Sequence, residues 1–423
     1  MTSRAAEPRA VAGPLAPFGY PMFGAIWAAN LVSNLGSVMQ MVAAAWLMTE
    51  LTSRHVLVAL VQASNTIPIL LLGMVAGAIA DAHDRRLVML WAQGFMLVVS
   101  AVLAILGYAG VITPWGLLAL TTLVGMGTAL HGPAWQASVR LLVDRAVLPQ
   151  AIAINAIAFN LARSLGPALG GLVIALWSVN LAFALNAVSY LAMIVVLARW
   201  HPVMPPPPLR LPIGGAIITG IRFCFASSPI SRVLVRGAAF GFGAMGLQAL
   251  LPVVVRLQLH GDQAGFGLVL GAFGSGSVLG ALVVSKVRRR FGSEAVVTGG
   301  TLAFIAALAL LSATQSLSLA IVAALIGGVG WIATMTSLNV AMQLRAPEAM
   351  LARCLSIYQA ITFGGMALGA WAWGTLADYY GLVAALRLAA GWLALTLVLR
   401  RFAPMPARGE GRIEPREATH EPA

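Results

Sequence analysis

Apolar residues in this chain run in long blocks, each closed by turn-forming or charged residues. The blocks cover residues 19–49, 55–80, 87–107, 114–139, 149–176, 180–199, 232–257, 264–285, 294–313, 317–343, 352–376 and 382–400. Runs of this length are too long for strands and match the roughly 20 residues that a helix needs to cross a bilayer. Several exceed that length, which predicts tilt or extension beyond the hydrocarbon.

Composition agrees with the pattern. Hydrophobic residues make up 60% of 423 positions and charged residues 9%, against roughly 45–50% and about 25% in soluble domains. Twelve spans need ~240 apolar residues, close to the number present. A soluble enzyme, a disordered chain and a receptor with one anchor are excluded.

The net charge of +13 comes from 26 basic and 13 acidic residues. It reads as topogenic charge rather than a nucleic-acid footprint, because cytoplasmic loops of membrane proteins collect Lys and Arg. With the N-terminus inside, 22 bases fall on the inner side and three, Arg54, Arg256 and Arg387, on the outer. Both termini are therefore expected in the cytoplasm and the number of spans is even. The segment from Met1 to Pro17 lacks the apolar core of a cleaved signal. Two cysteines, Cys224 and Cys354, make no disulfide framework.

The expected organisation is a tail at 1–18, a six-helix half at 19–200, a proline-rich linker with a surface helix at 201–231, a second half at 232–401 and a tail at 402–423. The halves repeat. Gly73 and Gly77 followed by Arg85 and Arg86 recur as Gly276, Gly280, Arg288 and Arg289, offset by 203 residues; Gly166 and Gly170 recur as Gly365 and Gly369, offset by 199. Six spans per half make the two copies parallel, one of the recurring plans of secondary transporters. The predicted fold is an all-α integral membrane protein of twelve transmembrane helices in two parallel six-helix repeats.

Two glycine motifs carry most of the expected mechanics. In Gly73-Met-Val-Ala-Gly77-Ala-Ile-Ala-Asp81-Ala-His83-Asp84-Arg85-Arg86, glycines four apart allow close helix approach, and an acid sits where the helix leaves the membrane, just ahead of two arginines. In Arg163-Ser-Leu-Gly166-Pro167-Ala-Leu-Gly170-Gly171, proline bends the fifth helix, and small residues let it pack tightly on a symmetry-related helix and seal one end of a cavity.

The first motif resembles the loop-two/three signature of the major facilitator superfamily, although Ala82 stands where that signature has an arginine. The resemblance implies a latch of Gly73, Gly77, Asp81, Arg85 and Arg86, with Asp81 pairing with Arg85 or Arg86 and facing the start of the eleventh span near Leu351–Arg353. A helix N-terminus favours such an anion. The second motif resembles the antiporter motif of exporters. Together with Phe23–Trp27, Ser33–Gly36, Ala45-Trp46, Leu51-Thr52, Pro68–Gly73 and Gly220–Phe223, the ordered set is similar to the enterobactin-exporter-like and macrolide-efflux-like branch over residues 20–400.

Arg163 is the one base deep in a predicted span, and no acid lies at its depth. An arginine in hydrocarbon is costly, so it either faces a cavity and its ligands or snorkels to the interface. Resemblance implies proton coupling. Its carrier is either Asp81 or His131, the one histidine inside a predicted span, for which a satisfied polar helix contact is the alternative. Helical spacing puts Asn30 and Asn34 on one face of the first span, and Trp331, Met335 and Asn339 on one face of the tenth. Asn65, Gln248, Tyr358, Gln359 and Phe363 add amide and aromatic groups. Such surfaces suit a bulky, mostly apolar ligand.

The resulting expectation is a monomeric, proton-coupled exporter of an amphipathic drug, macrolide-like compound or siderophore in a bacterial inner membrane, without cofactor, metal or nucleic-acid partner. A lipid or lysolipid transporter of the same fold is the alternative. An acyltransferase-like enzyme would need a converging His and acid, and the six histidines form no such arrangement.

Overall fold

A computed structural model describes residues 13, 15–201, 213–347 and 350–405. The proline-rich stretch 202–212 of the predicted linker and most of the two tails lie outside the described residues, as do the side chains of Gly77, Asp81 and Arg163. The described residues form helices and connecting turns, with no strand among them.

A helix occupies each apolar block. In the first half these are α1 (Pro21–Leu51), α2 (His55–Ala82), α3 (Arg85–Tyr108), α4 (Pro114–Leu142), α5 (Leu148–Leu176) and α6 (Val179–Arg199). The expected surface helix is α7 (Ile213–Ala226). The second half holds α8 (Ser228–Gln248), α9 (Gln263–Ala313), α10 (Leu317–Arg345), α11 (Leu351–Tyr380) and α12 (Leu382–Thr396), with a last turn at Leu399–Phe402. The block ending at 257 is not one regular helix: after Gln248 it continues as a short turn and a π-type segment at Val254–Gln258.

Helix α9 carries two predicted spans. It breaks at Gly292, where φ of 88° admits glycine readily and other residues poorly. Its limbs are residues 263–291 and 293–313. Gly381, at φ 85°, separates α11 from α12 in the same way. Polar side chains start other helices: Asp84 caps α3, Thr113 α4, Ser178 α6 and Asp262 α9, each accepting from a backbone N–H in the first turn. Each cap stabilises its helix by about 1 kcal/mol.

Among the described residues, nine helices are long and apolar enough to cross a membrane. Both limbs of α9 fall within one of the nine, and α5 and α11 fall outside the set. These two helices lie between the halves rather than around the rim. Helix α5 packs on the first limb of α9, and α11 packs on α2. The two contacts are equivalent under the repeat, which matches α2 with the first limb of α9 and α5 with α11. The fifth helix thus packs on the mate of α2, not on its own mate as the sequence suggests.

The helix ends alternate, so that Arg85, Arg86, Arg199, Arg345, Arg353 and Arg400 gather at one end of the bundle, called here the basic end. The far end holds the turns around Thr52, Leu259 and Gly381.

Candidate functional site

At the far end the halves meet through small residues and polar caps. Gly171 on α5 lies against Gly267 on α9; a methyl group at Gly171 would meet the Gly267 carbonyl carbon at 3.1 Å. Gly374 on α11 lies against Val56 and Ala59 on α2 in the equivalent contact. Trp46 stacks on Phe266 with ring centroids 5.3 Å apart.

Three polar contacts reinforce this closure. The carboxylate of Asp378 accepts from the backbone N–H of His55 at 2.5 Å and of Val56 at 3.3 Å, and lies 2.8 Å from His55 Nδ1. An acid of α11 therefore caps the start of α2, where the helix dipole favours an anion. Arg256 donates to Thr49 Oγ1 at 3.0 Å. Gln263 donates to Glu50 at 3.4 Å, and Trp46 Nε1 fixes the same carboxylate at 2.8 Å.

In the sequence Glu50 and Asp378 stand just beyond the ends of the apolar blocks at 19–49 and 352–376, and nothing in their spacing announces this seal. A usable signal exists for one pair: Thr49 and Arg256 are 207 residues apart, close to the repeat offset. They end two helices that the repeat makes equivalent and that meet near the axis between the halves.

The antiporter-like motif divides its glycines between two neighbours. Gly166 faces Val38, and Gly170 faces Met39 and Val42, all on α1, whereas Gly171 faces α9. Pro167 lies within α5. A side chain at any of the three glycines would force helices apart.

At the basic end the described contacts stay within each half. Arg85 donates to the Ala137 carbonyl at 3.0 Å, and Arg86 to the carbonyls of Leu197 at 2.8 Å and Ala198 at 2.9 Å. Arg85 thus ties α3 to the C-terminal part of α4, and Arg86 ties it to the last turn of α6, where carbonyls have spare acceptor capacity. Asp84 caps α3. Gly73 has open space around it, whereas its repeat counterpart Gly276 presses on α10, as does Gly280.

In the second half Arg236, 6% exposed, makes a two-pronged ion pair with Glu294 at 2.5 and 2.8 Å, and the Met405 N–H donates to the same carboxylate at 2.6 Å. In the sequence the members of this cluster are ordinary edge charges, and no spacing singles them out. Cys224 on α7 donates to Cys354 on α11 with sulfurs 3.6 Å apart, and both thiols are free. That hydrogen bond and burial push the Cys224 thiol far above the usual cysteine range.

His131 is buried in a polar cluster inside the first half. Its Nε2 lies 3.2 Å from Asn30 Oδ1 and its Nδ1 3.3 Å from Gln93 Nε2. With Gln93 donating to Nδ1, the Nε2 proton is left for Asn30, and a neutral imidazole has both nitrogens satisfied. Next to it, Asn186 donates to Gln40 at 2.7 Å and to Tyr190 at 3.0 Å, and Ser37 pairs with Tyr190 at 3.1 Å. Asn30 is thus engaged in helix packing.

The other cavity candidates divide by exposure. Trp331 and Tyr358 are buried within the second half. Gln359 is exposed, and Asn34, Asn65, Met335, Asn339 and Phe363 are half-buried. Asn34 donates to the Asn30 carbonyl, Asn65 lies 3.6 Å from Met41 Sδ, and Asn339 accepts from Gln343 at 2.6 Å. Gln248 Nε2 is buried without a hydrogen-bond partner, a donor available to a ligand. The described residues contain no cluster of His, Cys, Asp or Glu able to hold a metal ion.

This architecture recurs in solved structures. The nucleoside transporter NupG (D323A mutant) is similar with a TM-score of 0.74, at 12% identity, covering 90% of this chain and 99% of that one. A bacterial homologue of the human lysosomal transporter Spinster, in an inward-facing and unoccupied conformation, is similar with a TM-score of 0.67 at 14% identity, covering 91% and 95%. Among curated proteins, the staphyloferrin A transporter of Staphylococcus aureus is 25% identical over 61% of this chain and 65% of its own length. Macrolide efflux protein A of Streptococcus pyogenes is 22% identical over 62% and 65%. The enterobactin exporter of Escherichia coli is 27% identical over 70% and 71%. The chain thus spans just under two thirds of the length of the first two relatives. The model of the transmembrane secretion effector family matches residues 12–423, and the chain belongs to that family, a branch of the major facilitator superfamily.

Proposed function

We propose that this protein is a secondary-active exporter of amphipathic small molecules that works by alternating access. The observation that carries the reading is the asymmetry of its ends. At the far end, glycine contacts and Asp378, Thr49 and Glu50 bind one half to the other. At the basic end, Arg85, Arg86 and Arg236 are tied within their own halves. With the basic end in the cytoplasm of a bacterial inner membrane, as the charge bias argues, this is an inward-facing state ready to load.

Loading would take place between the halves, against Asn34, Asn65, Gln248, Met335, Gln359 and Phe363. Closing the basic end would bring the Asp81 turn against the start of α11, while the seal around Gly171 and Gly267 parts. The Gly166–Gly171 segment, which touches both α1 and α9, is the pivot in this scheme, and Arg163 lies just before it on α5. The siderophore and macrolide named for the relatives supply the cargo class, a bulky compound with apolar surface.

Protons drive the cycle in this proposal, with Asp81 or His131 as carrier. A relay through His131 requires Gln93 to turn its amide, because an imidazolium has two donors and Gln93 Nε2 is also a donor. Family membership argues against an enzyme. The test uses inverted vesicles from a pump-deleted host, incubated in turn with a panel of macrolides, dyes and siderophores in the outer medium. Uptake driven by a pH gradient and abolished by an uncoupler is the expected result. Uptake insensitive to the uncoupler would defeat the antiport reading, and no uptake of any compound would defeat the exporter reading.

A further inference from the structure

A groove of about 580 Å³ lies between α8, α11 and α12. Its floor is Ala238, Ala239 and Gly365, and Leu368, Leu395 and the Trp392 ring form the walls. Gly365 shapes its floor: a methyl there would meet the Ala238 carbonyl oxygen at 2.6 Å, so α11 closes tightly on α8. Phe242, with its ring 4.9 Å from that of Trp392, stops the inner end. Phe225 and Leu399 flank the mouth at the basic end.

The lining offers no free polar group. Trp392 Nε1 already donates to the Ala239 carbonyl at 2.9 Å, and Thr396 Oγ1 to Leu393 at 2.6 Å. Water has nothing to bind there, and an empty groove forfeits dispersion contacts. Val235, Leu368 and Leu395 are 47%, 61% and 63% exposed, so the groove faces the hydrocarbon around the protein. From Leu234 to Phe242 it runs eight residues of helix, ~12 Å, within the ~15 Å of one leaflet.

Charge at the mouth distinguishes a captured molecule from a passing one. Arg222 lies three residues before Phe225, Arg232 three before Val235, and Arg400 four after Thr396. Helical spacing puts Arg232 on the groove face, one turn towards the basic end, and Arg222 and Arg400 lie on the two short helices that bring Phe225 and Leu399 to the mouth. No hydrogen-bond partner of these three is found among the described residues. The nearby acid Glu294 is occupied by Arg236 and the Met405 N–H.

We propose that this groove binds one acyl chain of an anionic phospholipid from the leaflet at the basic end, with the phosphate held by Arg222, Arg232 and Arg400. The site is separate from the space between the halves and does not rest on the export reading. Arginine suits the phosphate because its planar donors bind two oxygens at once. A neutral lipid with the same chains fills the groove but gains less at the mouth.

The test is native mass spectrometry of the purified full-length protein with dioleoyl phosphatidylglycerol or dioleoyl phosphatidylcholine. The wild type is expected to retain one phosphatidylglycerol about tenfold more strongly than phosphatidylcholine. Filling the groove with Val235→Trp and Thr396→Phe lowers that retention about tenfold. The triple change Arg222→Gln, Arg232→Gln and Arg400→Gln, at two exposed positions and one half-buried position, removes the headgroup preference with the fold intact by size-exclusion profile. Leu282→Trp, on a lipid-facing position of α9 that is 68% exposed, leaves retention unchanged. Equal retention of both lipids by the wild type would overturn the proposal. So would unchanged retention in the filled variant, or a dimer that filling dissolves, which would assign the groove to a second copy.

Discussion

The far end and the basic end solve the same physical problem with opposite choices of partner. Both must satisfy helix ends. At the far end the partner comes from the other half: Asp378 of α11 caps α2, and Arg256 reaches Thr49. At the basic end it comes from the same half: Arg86 takes the carbonyls at the end of α6, and Glu294 takes Arg236. A cap from the other half ties helix satisfaction to one arrangement of the halves, while a cap from the same half survives rocking. The far end is therefore joined across the halves in this structure, as the gate of the proposed cycle must be, while the described contacts of the basic end stay inside each half.

Perturbations of the two ends should differ in kind, and the largest effect belongs to the gate. Gly171→Leu places a side chain where even a methyl meets α9. Overpacking of about 1–3 kcal/mol opens the far end and lowers transport about tenfold or more, with expression retained; radiolabelled flux in vesicles measures it. Asp81→Asn comes next. If the Asp81 turn must grip α11 to close the basic end, the amide lowers flux about tenfold while leaving the far end closed, and wild-type flux in this variant would remove the latch.

Arg86→Ala should behave as a stability change. Two charge-assisted hydrogen bonds to α6 are lost, worth about 1.5–3 kcal/mol each, so thermal unfolding moves down while the separation of the halves stays fixed. Asp378→Asn is the mildest. The amide keeps one acceptor for the α2 cap, so about 1 kcal/mol is lost, and flux changes several-fold through a looser far end.

Much of this was legible in the sequence, for stated reasons. A bilayer demands long apolar runs, and the runs name the helices. Duplication leaves offsets, and the offsets name the halves. Glycine spacing located Gly171, because a close approach of backbones leaves few residue choices. The identity of its partner was not legible: Gly267 belongs to another run, and a glycine in a membrane helix is ordinary. His55 and Asp378 are 323 residues apart, and a cap between halves leaves no local spacing to find. Asn30 shows the converse error. Its helical face was read correctly, but only the fold shows that this face meets His131 rather than open space.

The central claim, that a far-end gate and a basic-end latch alternate, is tested most directly by two distances in one protein. Spin labels at Arg54 and Tyr379 report the far end, and labels at His83 and Arg353 report the basic end, each in a Cys224→Ser, Cys354→Ser background in nanodiscs. Without cargo, pulsed electron resonance should give a short far-end distance and a long basic-end distance. Cargo with a proton gradient should lengthen the first and shorten the second. A far-end distance that never changes while cargo moves, or two distances that change in the same direction, would contradict the account.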